Sequence, residues 1–217
     1  MRKILSVLVV VLLSLVGFSA VSVQPATATT SRALPSWAKS ASIYEVNIRS
    51  YTTAGTFKAF QAHLPRLKKL GVKVLWFMPI HPISTTNRNG SLGSPYAVND
   101  YKAVNPDMGT DADFRKLINA AHAAGFKVVL DWVANHTGWD NVWMSAHRDW
   151  FTQVNGVIQP PNRDWLDVAD LNYNNADMRA AMIDAMKYWV TTFDIDGFRC
   201  DVAGLVSTAF WSEARRR

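Results

Sequence analysis

The sequence predicts an α/β fold built on a parallel β-sheet. Short apolar runs typical of strands recur along the chain, amphipathic helical patterns separate them, and 49% of the 217 residues are hydrophobic. Strands and helices that alternate in this way indicate βαβ units around one substantial core. Periodicity alone does not separate an open sheet from a closed barrel. No G-x-G-x-x-G run follows a predicted strand, so dinucleotide binding loses its main support.

Residues 1–28 have the pattern of a secretory signal peptide. Arg2 and Lys3 precede an apolar run over residues 4–18, and Ala26-Thr27-Ala28 fits the small-x-small pattern of a signal-peptidase site. The alternative is an uncleaved membrane anchor, because the apolar run is nearly long enough to span a bilayer. We expect cleavage, a secreted protein and no stable membrane partner after it.

The charge pattern argues against a nucleic-acid partner. The formal net charge is +6, and loss of the predicted signal peptide removes two bases and no acids. The remaining bases are scattered, without a basic stripe that alternates with aromatic residues. The only cysteine, Cys200, excludes an intrachain disulfide, and its place on a predicted strand indicates an inert packed thiol.

The first half of the folded part begins after a lead segment, residues 29–41. We predict a first strand over Ser42–Ile48 and then an amphipathic helix that Pro65 kinks or restarts and Gly71 ends. The apolar positions of that helix are Phe57, Phe60, Leu64, Leu67 and Leu70. A second strand over Lys73–Pro79 is nearly continuous in apolar residues, as expected for a strand covered on both faces.

A long polar loop leads from the second strand to the next helix. Thr110 and Asp113 predict a capping box at the start of that helix. Its predicted buried face consists of Phe114, Leu117, Ile118 and Ala121. The third strand is predicted over Lys127–Asp131, a further helix over 176–190, and the start of a fourth helix over 205–217.

Two stretches place polar residues near the ends of predicted strands. Residues 194–203 predict a short buried fourth strand, in which Arg199 and Asp201 share one face because side chains alternate along a strand. An ionised, fixed aspartate is the nucleophile of many sugar-cleaving enzymes. A plain buried Arg–Asp ion pair is equally compatible with this stretch alone.

The second stretch, residues 131–136, is a D-x-x-x-N-H run after the third strand. A G-x-R-x-D run occupies residues 197–201, and Val-Ala-Asp-Leu-Asn occupies 168–172. The three runs, in their order along the chain, resemble those of the α-amylase superfamily of glycoside hydrolases. The resemblance extends from about Ser42 to Ala214, nearly the whole chain after the predicted signal peptide.

The resemblance implies a fold and a domain organisation. It favours the N-terminal half of a (β/α)8 barrel, whose active site lies at the C-terminal ends of the strands. Residues 42–217 are then a partial catalytic domain, with residues 137–175 as a short inserted domain after strand three. That segment is too long for an ordinary βα loop and is rich in tryptophan. Its aromatic residues suit either sugar contact or a local hydrophobic cluster.

The resemblance also implies roles for individual residues. Asp201 matches the nucleophile, and Arg199 matches the residue that holds it charged and oriented. His136 would hydrogen-bond the sugar at the point of cleavage, and Tyr96 would stack under the same sugar. Asp131 and Asn135 would support the site rather than act in it.

Two parts of the family's site have no match in the chain. The acid/base glutamate follows the fifth strand in the family, and the two glutamates here, Glu45 and Glu213, do not match it. We therefore expect the N-terminal part of a longer enzyme, inactive by itself. Many relatives bind a structural calcium, but Asn172 and Leu205 replace a matching aspartate and histidine. We assign no metal, because a hard cation prefers charged oxygens.

The predicted function is secreted glycoside hydrolysis with a retaining mechanism. The expected partner is a starch-like α-glucan or a maltooligosaccharide. Alternatives are a transglycosylase or a trehalose- or sucrose-active member of the same superfamily, a non-catalytic carbohydrate-binding protein, and a defunct fragment. Retention of Arg199 and Asp201 counts against a purely binding role.

Overall fold

The computed structural model describes residues 34–217, so the predicted signal peptide and most of the lead segment lie outside the described residues. Residues 37–217 form one compact unit. Within the described range, every helix is too short or too polar to cross a bilayer.

The centre of this unit is a four-stranded parallel sheet that confirms the predicted α/β class. The strands within residues 34–217 are β1 (Ile43–Val46), β2 (Val74–Phe77), β3 (Lys127–Trp132), β4 (His136–Gly138), β5 (Gln153–Val154), β6 (Val157–Ile158), β7 (Val168–Asp170) and β8 (Gly197–Cys200). The main sheet has the order β1-β2-β3-β8, and all three of its ladders are parallel. Neighbours in the sheet therefore follow one another along the chain, apart from the small strands between β3 and β8.

Helices connect these strands. They are α1 (Ile48–Tyr51), α2 (Phe57–Gln61), α3 (Leu64–Lys69), α4 (Asp111–Ala123), α5 (Ala176–Phe193) and α6 (Thr208–Arg216), with short 3-10 turns at Ser36–Ser40, Arg148–Trp150 and Ala203–Leu205. The predicted restart at Pro65 is present, because α2 ends before it and Pro65 occupies the first turn of α3, where a missing N–H is tolerated. The capping box of Thr110 and Asp113 is also present.

The helices cover one face of the sheet and form the core with it. Along β3, Val128, Leu130 and Trp132 point to this face and are almost fully buried. The predicted buried face of α4 packs in the same cluster, as do Trp189 and Phe193 of α5. Alternation along the strand turns the intervening side chains of β3, including Asp131, to the opposite face.

The fourth strand differs from its prediction. β8 spans only Gly197–Cys200 and is half-buried rather than buried. Asp194 belongs to the end of α5, where it caps the helix in the left-handed conformation with φ of 61°. The first predicted strand is also shorter, because Ile48 already begins α1.

The inserted segment after β3 is organised by two small antiparallel ladders. Strand β4 pairs with β7, and β5 pairs with β6. Trp150 stacks on His147 with ring centroids 3.9 Å apart, and Trp143 packs between Trp150 and Tyr101. These two tryptophans therefore hold the insertion together and attach it to the core.

Candidate active site

The candidate site lies where β2, β3 and β8 end. The β3–β8 register places Asp131 directly beside Arg199, and the backbone N–H of Asp201 donates to the carbonyl of Trp132 at 2.9 Å. The carboxyl ends of parallel strands meet at one edge, so side chains that are far apart in sequence converge there. Asp131, Arg199 and Asp201 therefore form one cluster.

Arg199 connects two carboxylates. Its Nη1 atom lies 2.9 Å and 3.0 Å from the two oxygens of Asp131 and 2.8 Å from Oδ1 of Asp201. The guanidinium also lies over the ring of Trp76, with Cζ 4.7 Å from the centroid, a cation–π contact. The Asp201 side chain is 16% exposed and that of Asp131 is 0% exposed. Asp201 is thus the carboxylate of this pair that a ligand can reach.

The carboxylate of Asp131 accepts hydrogen bonds from several side chains. Besides Arg199, Trp76 Nε1 donates to Oδ2 at 3.1 Å and the Tyr96 hydroxyl donates at 3.2 Å. Burial raises the pKa of Asp131, and the nearby Asp201 charge adds to this, while the Arg199 and Trp76 donors offset part of it. Asp131 therefore holds three side chains in place around the cleft.

His136 is buried next to the same cleft. The amide of Asn135 donates to its Nδ1 atom at 3.1 Å, which leaves the ring proton on Nε2. Burial lowers the pKa of His136 to about 4, although the charges of Asp201 and Asp167 oppose this shift. The imidazole is therefore neutral at neutral pH and has one N–H to donate.

Tyr96, His136 and Asp201 line a cleft of about 360 Å³, within the size range of small-molecule sites. Three parts of the chain form it: the loop between β2 and α4, the insertion, and the ends of β3 and β8. The lining residues are Asn89, Ser94 and Tyr96 from the loop, Asp164, Trp165, Asp167 and Val168 from the insertion, and His136, Asp201 and Val202 from the strand ends. Tyr96, His136 and Asp201 therefore meet in one cavity, whereas Asp131, Asn135 and Arg199 do not line it.

The backbone is strained directly after Asp201. Val202 has φ of 39° and ψ of 40°, the left-handed region that a β-branched residue rarely adopts. Such a conformation costs on the order of 1–3 kcal/mol and persists only where the surroundings impose it. This turn sends the chain into the 3-10 turn at Ala203–Leu205 and leaves Asp201 at the cleft.

Cys200 lies between Arg199 and Asp201 in sequence but on the other face of β8. Burial raises the pKa of its thiol to about 11. The thiol is therefore protonated at neutral pH and is not nucleophilic.

Asp140 ties the loop between β2 and α4 to the insertion. Its carboxylate accepts from the backbone N–H and the hydroxyl of Thr85 at 2.8 Å and 2.7 Å and from Asn99 Nδ2 at 3.0 Å. Burial opposes its charge, but these donors hold the pKa of Asp140 well below its ordinary value. Nearby, a Cβ at Gly138 would lie 2.2 Å from Cβ of Ser84, so the two segments approach as closely as glycine allows.

Sequence reasoning missed several members of the site. Trp76 belongs to an apolar run, and only its alternation with Leu75 and Phe77 signals that it faces away from the helices. Trp165 is one of several tryptophans of the insertion, and nothing in its local sequence indicates that its ring lies edge-on to His136, with the ring centroids 5.6 Å apart. Asp167 belongs to none of the three sequence runs, so no local signal identified it.

Two of the three residues that the resemblance matches to calcium ligands are unsuited to a cation here. Asn172 donates to the carbonyl of Asp149 and accepts from the N–H of Asn174. Leu205, at the third matching position, is 62% exposed and has no ligand atom in its side chain. Within residues 34–217, no group of three or more acidic, histidine or cysteine side chains is placed to hold a metal.

Comparison with known proteins shows which family this chain is similar to. The family model of the α-amylase catalytic domain matches residues 37–169 and 163–216. An α-amylase, MalA, of Haloarcula japonica is 30% identical over 190 residues, which cover 82% of this chain and 28% of that protein. The α-1,4-glucan:maltose-1-phosphate maltosyltransferase of Mycolicibacterium smegmatis is 32% identical, over 73% of this chain and 25% of that protein.

Among solved structures, an α-amylase from Lactobacillus plantarum is 47% identical with a TM-score of 0.78. The match covers 80% of this chain and 41% of that one. The predicted class, an α/β fold forming part of a barrel, is confirmed by this likeness. The chain spans well under half the length of each of these three proteins.

Proposed function

Because this chain belongs to the α-amylase family, we propose that it carries the nucleophile of a retaining glycosidase that cleaves α-glucosidic bonds in starch-like glucans or maltooligosaccharides. The observation that carries the proposal is the position of Asp201: it is accessible in the cleft, hydrogen-bonded to Arg199, and shares the cavity with His136 and Tyr96.

In this mechanism, a carboxylate oxygen of Asp201 attacks the anomeric carbon and the glycosidic bond breaks as the glycosyl–enzyme bond forms. The Arg199 guanidinium holds the carboxylate in place through its 2.8 Å contact. The Nε2–H of His136 donates to a hydroxyl of the same sugar, and the ring of Tyr96 provides an apolar surface for its C–H face.

A second carboxyl group must protonate the leaving oxygen and then activate water. Neither glutamate of the chain lines the cleft: Glu45 is in β1 and Glu213 is in α6. We therefore expect the general acid in the part of the enzyme that corresponds to the unmatched remainder of the relatives' sequences.

Glycosyl transfer is the second candidate function. It requires the same nucleophile and differs only in the acceptor, a sugar hydroxyl instead of water. The similarity to a maltosyltransferase favours this alternative over other chemistry. Analysis of products from maltotriose distinguishes the two, because transfer yields chains longer than the substrate.

The site of action is proposed to be extracellular, on the signal-peptide pattern of residues 1–28. Expression with the native N-terminus, followed by mass determination of the protein in the medium, tests this. A mature N-terminus at Thr29 is expected, and retention of Met1 in the cell fraction would count against export.

The test of the nucleophile is Asp201→Asn in the full-length protein. Hydrolysis of maltotriose is expected to fall by several orders of magnitude with an unchanged melting temperature. The matched control is Asp194→Asn, the same chemical change at a 93% exposed side chain outside the cleft, which should retain activity. Turnover by Asp201→Asn near that of the wild type would remove Asp201 from the mechanism.

A further inference from the structure

Asp167 is a largely buried residue whose carboxylate has no hydrogen-bond donor among the described residues. It is 8% exposed, and it accepts no hydrogen bond from any of residues 34–217. Asp131, the other buried aspartate of the described chain, accepts from three side chains. Neither oxygen of Asp167 is among the fully buried polar atoms that lack a partner in the described chain, so both oxygens remain open to the cleft.

The unfilled acceptors of Asp167 face the cleft. Asp167 lines the same cavity as Asp201 and immediately precedes β7. Its backbone is held there because the next residue, Val168, pairs with Gly138 across the β4–β7 ladder. Asp167 is therefore fixed on the insertion side of the cavity by regular structure rather than by a loose loop.

The surroundings decide which ligand group suits this carboxylate. No lysine or arginine lines the cleft, and the guanidinium of Arg199 is already shared between Asp131 and Asp201. The described residues offer no group of ligands for a metal. Neutral hydroxyl donors remain, and two adjacent sugar hydroxyls can donate to the two oxygens of one carboxylate.

We propose that Asp167 is a substrate-binding residue that determines specificity: it accepts hydrogen bonds from hydroxyls of a glucosyl unit that lies against Trp165, next to the unit bound by Tyr96, His136 and Asp201. This inference rests on the proposed function and adds a second sugar position to it. The three carboxylates of the cleft, Asp164, Asp167 and Asp201, also favour neutral sugars over anionic ones such as sugar phosphates.

The test uses the full-length protein with Asp167→Ala and Asp167→Asn, and Asp107→Asn as the control at an exposed aspartate outside the cleft. Michaelis constants for maltotriose and melting temperatures are measured for each. Asp167→Ala should raise KM about 10- to 100-fold, the effect of losing hydrogen bonds to a charged group. Asp167→Asn should leave the melting temperature unchanged, because the carboxylate is open to the cleft and accepts no hydrogen bond from the described residues.

A structural role for Asp167 predicts the opposite pattern. KM values within twofold of the wild type, or a rise in KM accompanied by a clear loss of melting temperature in Asp167→Asn, would overturn the proposal. Singly deoxygenated maltosides give a second readout: at the hydroxyls that Asp167 binds, deoxygenation should weaken wild-type binding and leave Asp167→Ala binding unchanged. If the wild type and Asp107→Asn neither bind nor cleave any glucan, the proposed function itself fails.

Discussion

The Nη1 atom of Arg199 lies within 3.0 Å of both oxygens of Asp131, a carboxylate with no exposure to solvent. The same nitrogen reaches Asp201, so one cation balances a buried and an accessible negative charge. Without it, Asp131 and Asp201 would face each other with no neutralising group. The stability of the fold and the geometry of the nucleophile thus depend on one side chain.

Replacing Arg199 by Met should lower the free energy of unfolding by about 3 kcal/mol, because it leaves a buried charge unpaired. The double variant Arg199→Met/Asp131→Asn should recover most of this loss, since the charge is then absent. Urea unfolding of the two single variants and the double variant measures the coupling. Additive losses would show that the pair does not stabilise the fold.

Replacing Val202 by Gly should separate stability from activity. Glycine accepts the left-handed conformation without strain, so the free energy of unfolding should be unchanged or higher by up to about 2 kcal/mol. Activity should fall, because the turn no longer fixes Asp201. The control, Val190→Gly on the exposed face of α5, should instead destabilise by about 1 kcal/mol. Equal destabilisation by both changes would mean that Val202 is unstrained.

Replacing Asp140 by Ala should release the loop between β2 and α4. Loss of the Thr85 and Asn99 contacts should cost about 1–3 kcal/mol and raise KM more than it lowers kcat, because Tyr96 is on this loop. Limited trypsin digestion reports the change, since Arg88 is exposed within the loop. Faster cleavage after Arg88 is expected, and a digestion pattern like that of the wild type would contradict the role of Asp140.

Because of the buried His81, the free energy of unfolding should decrease in acid. Its ring is fully buried among Tyr101, Trp132 and Trp189, and burial lowers its pKa to about 4. Between pH 6.5 and 4 the unfolded chain binds a proton at this histidine and the folded chain does not. Stability should therefore fall as pH decreases through this range, by about 3 kcal/mol at its lower end.

The variant His81→Asn tests this source of acid sensitivity. Asparagine has an amide N–H that can replace the contact of Nδ1 with the carbonyl of Ala103 but does not titrate. Denaturant unfolding at several pH values should show a shallower pH dependence for the variant. His136 contributes in the same direction, because its pKa is also lowered, so part of the slope should remain. An unchanged slope would exclude His81.

The sequence predicts the sheet well because its signals are local. The apolar run of β3, the capping box at Thr110 and the proline at position 65 act within a few residues, and each has its expected structural effect. The cleft was predicted in part, because Asp201 and His136 belong to recognisable runs at strand ends. Their roles remain predictions.

The rest of the site depends on contacts that spacing does not encode. Trp76 and Asp131 are 55 residues apart, as are Thr85 and Asp140. Asp167 reaches the cleft only because β7 pairs with β4, a ladder between two three-residue strands that have no clear strand pattern. The sequence shows what kind of side chain stands at each of these positions, but only the folded structure shows which of them lie close together.

The protonated thiol of Cys200 has a practical consequence for spectroscopy. As the only cysteine of the chain, and one with a pKa near 11, it should react slowly with maleimides at neutral pH. A second cysteine introduced by Leu92→Cys, at an exposed position of the loop beside the cleft, could then carry a fluorescent dye selectively. The native protein thus permits single-site labelling, and ligand-dependent motion of that loop can be followed without first removing its own thiol.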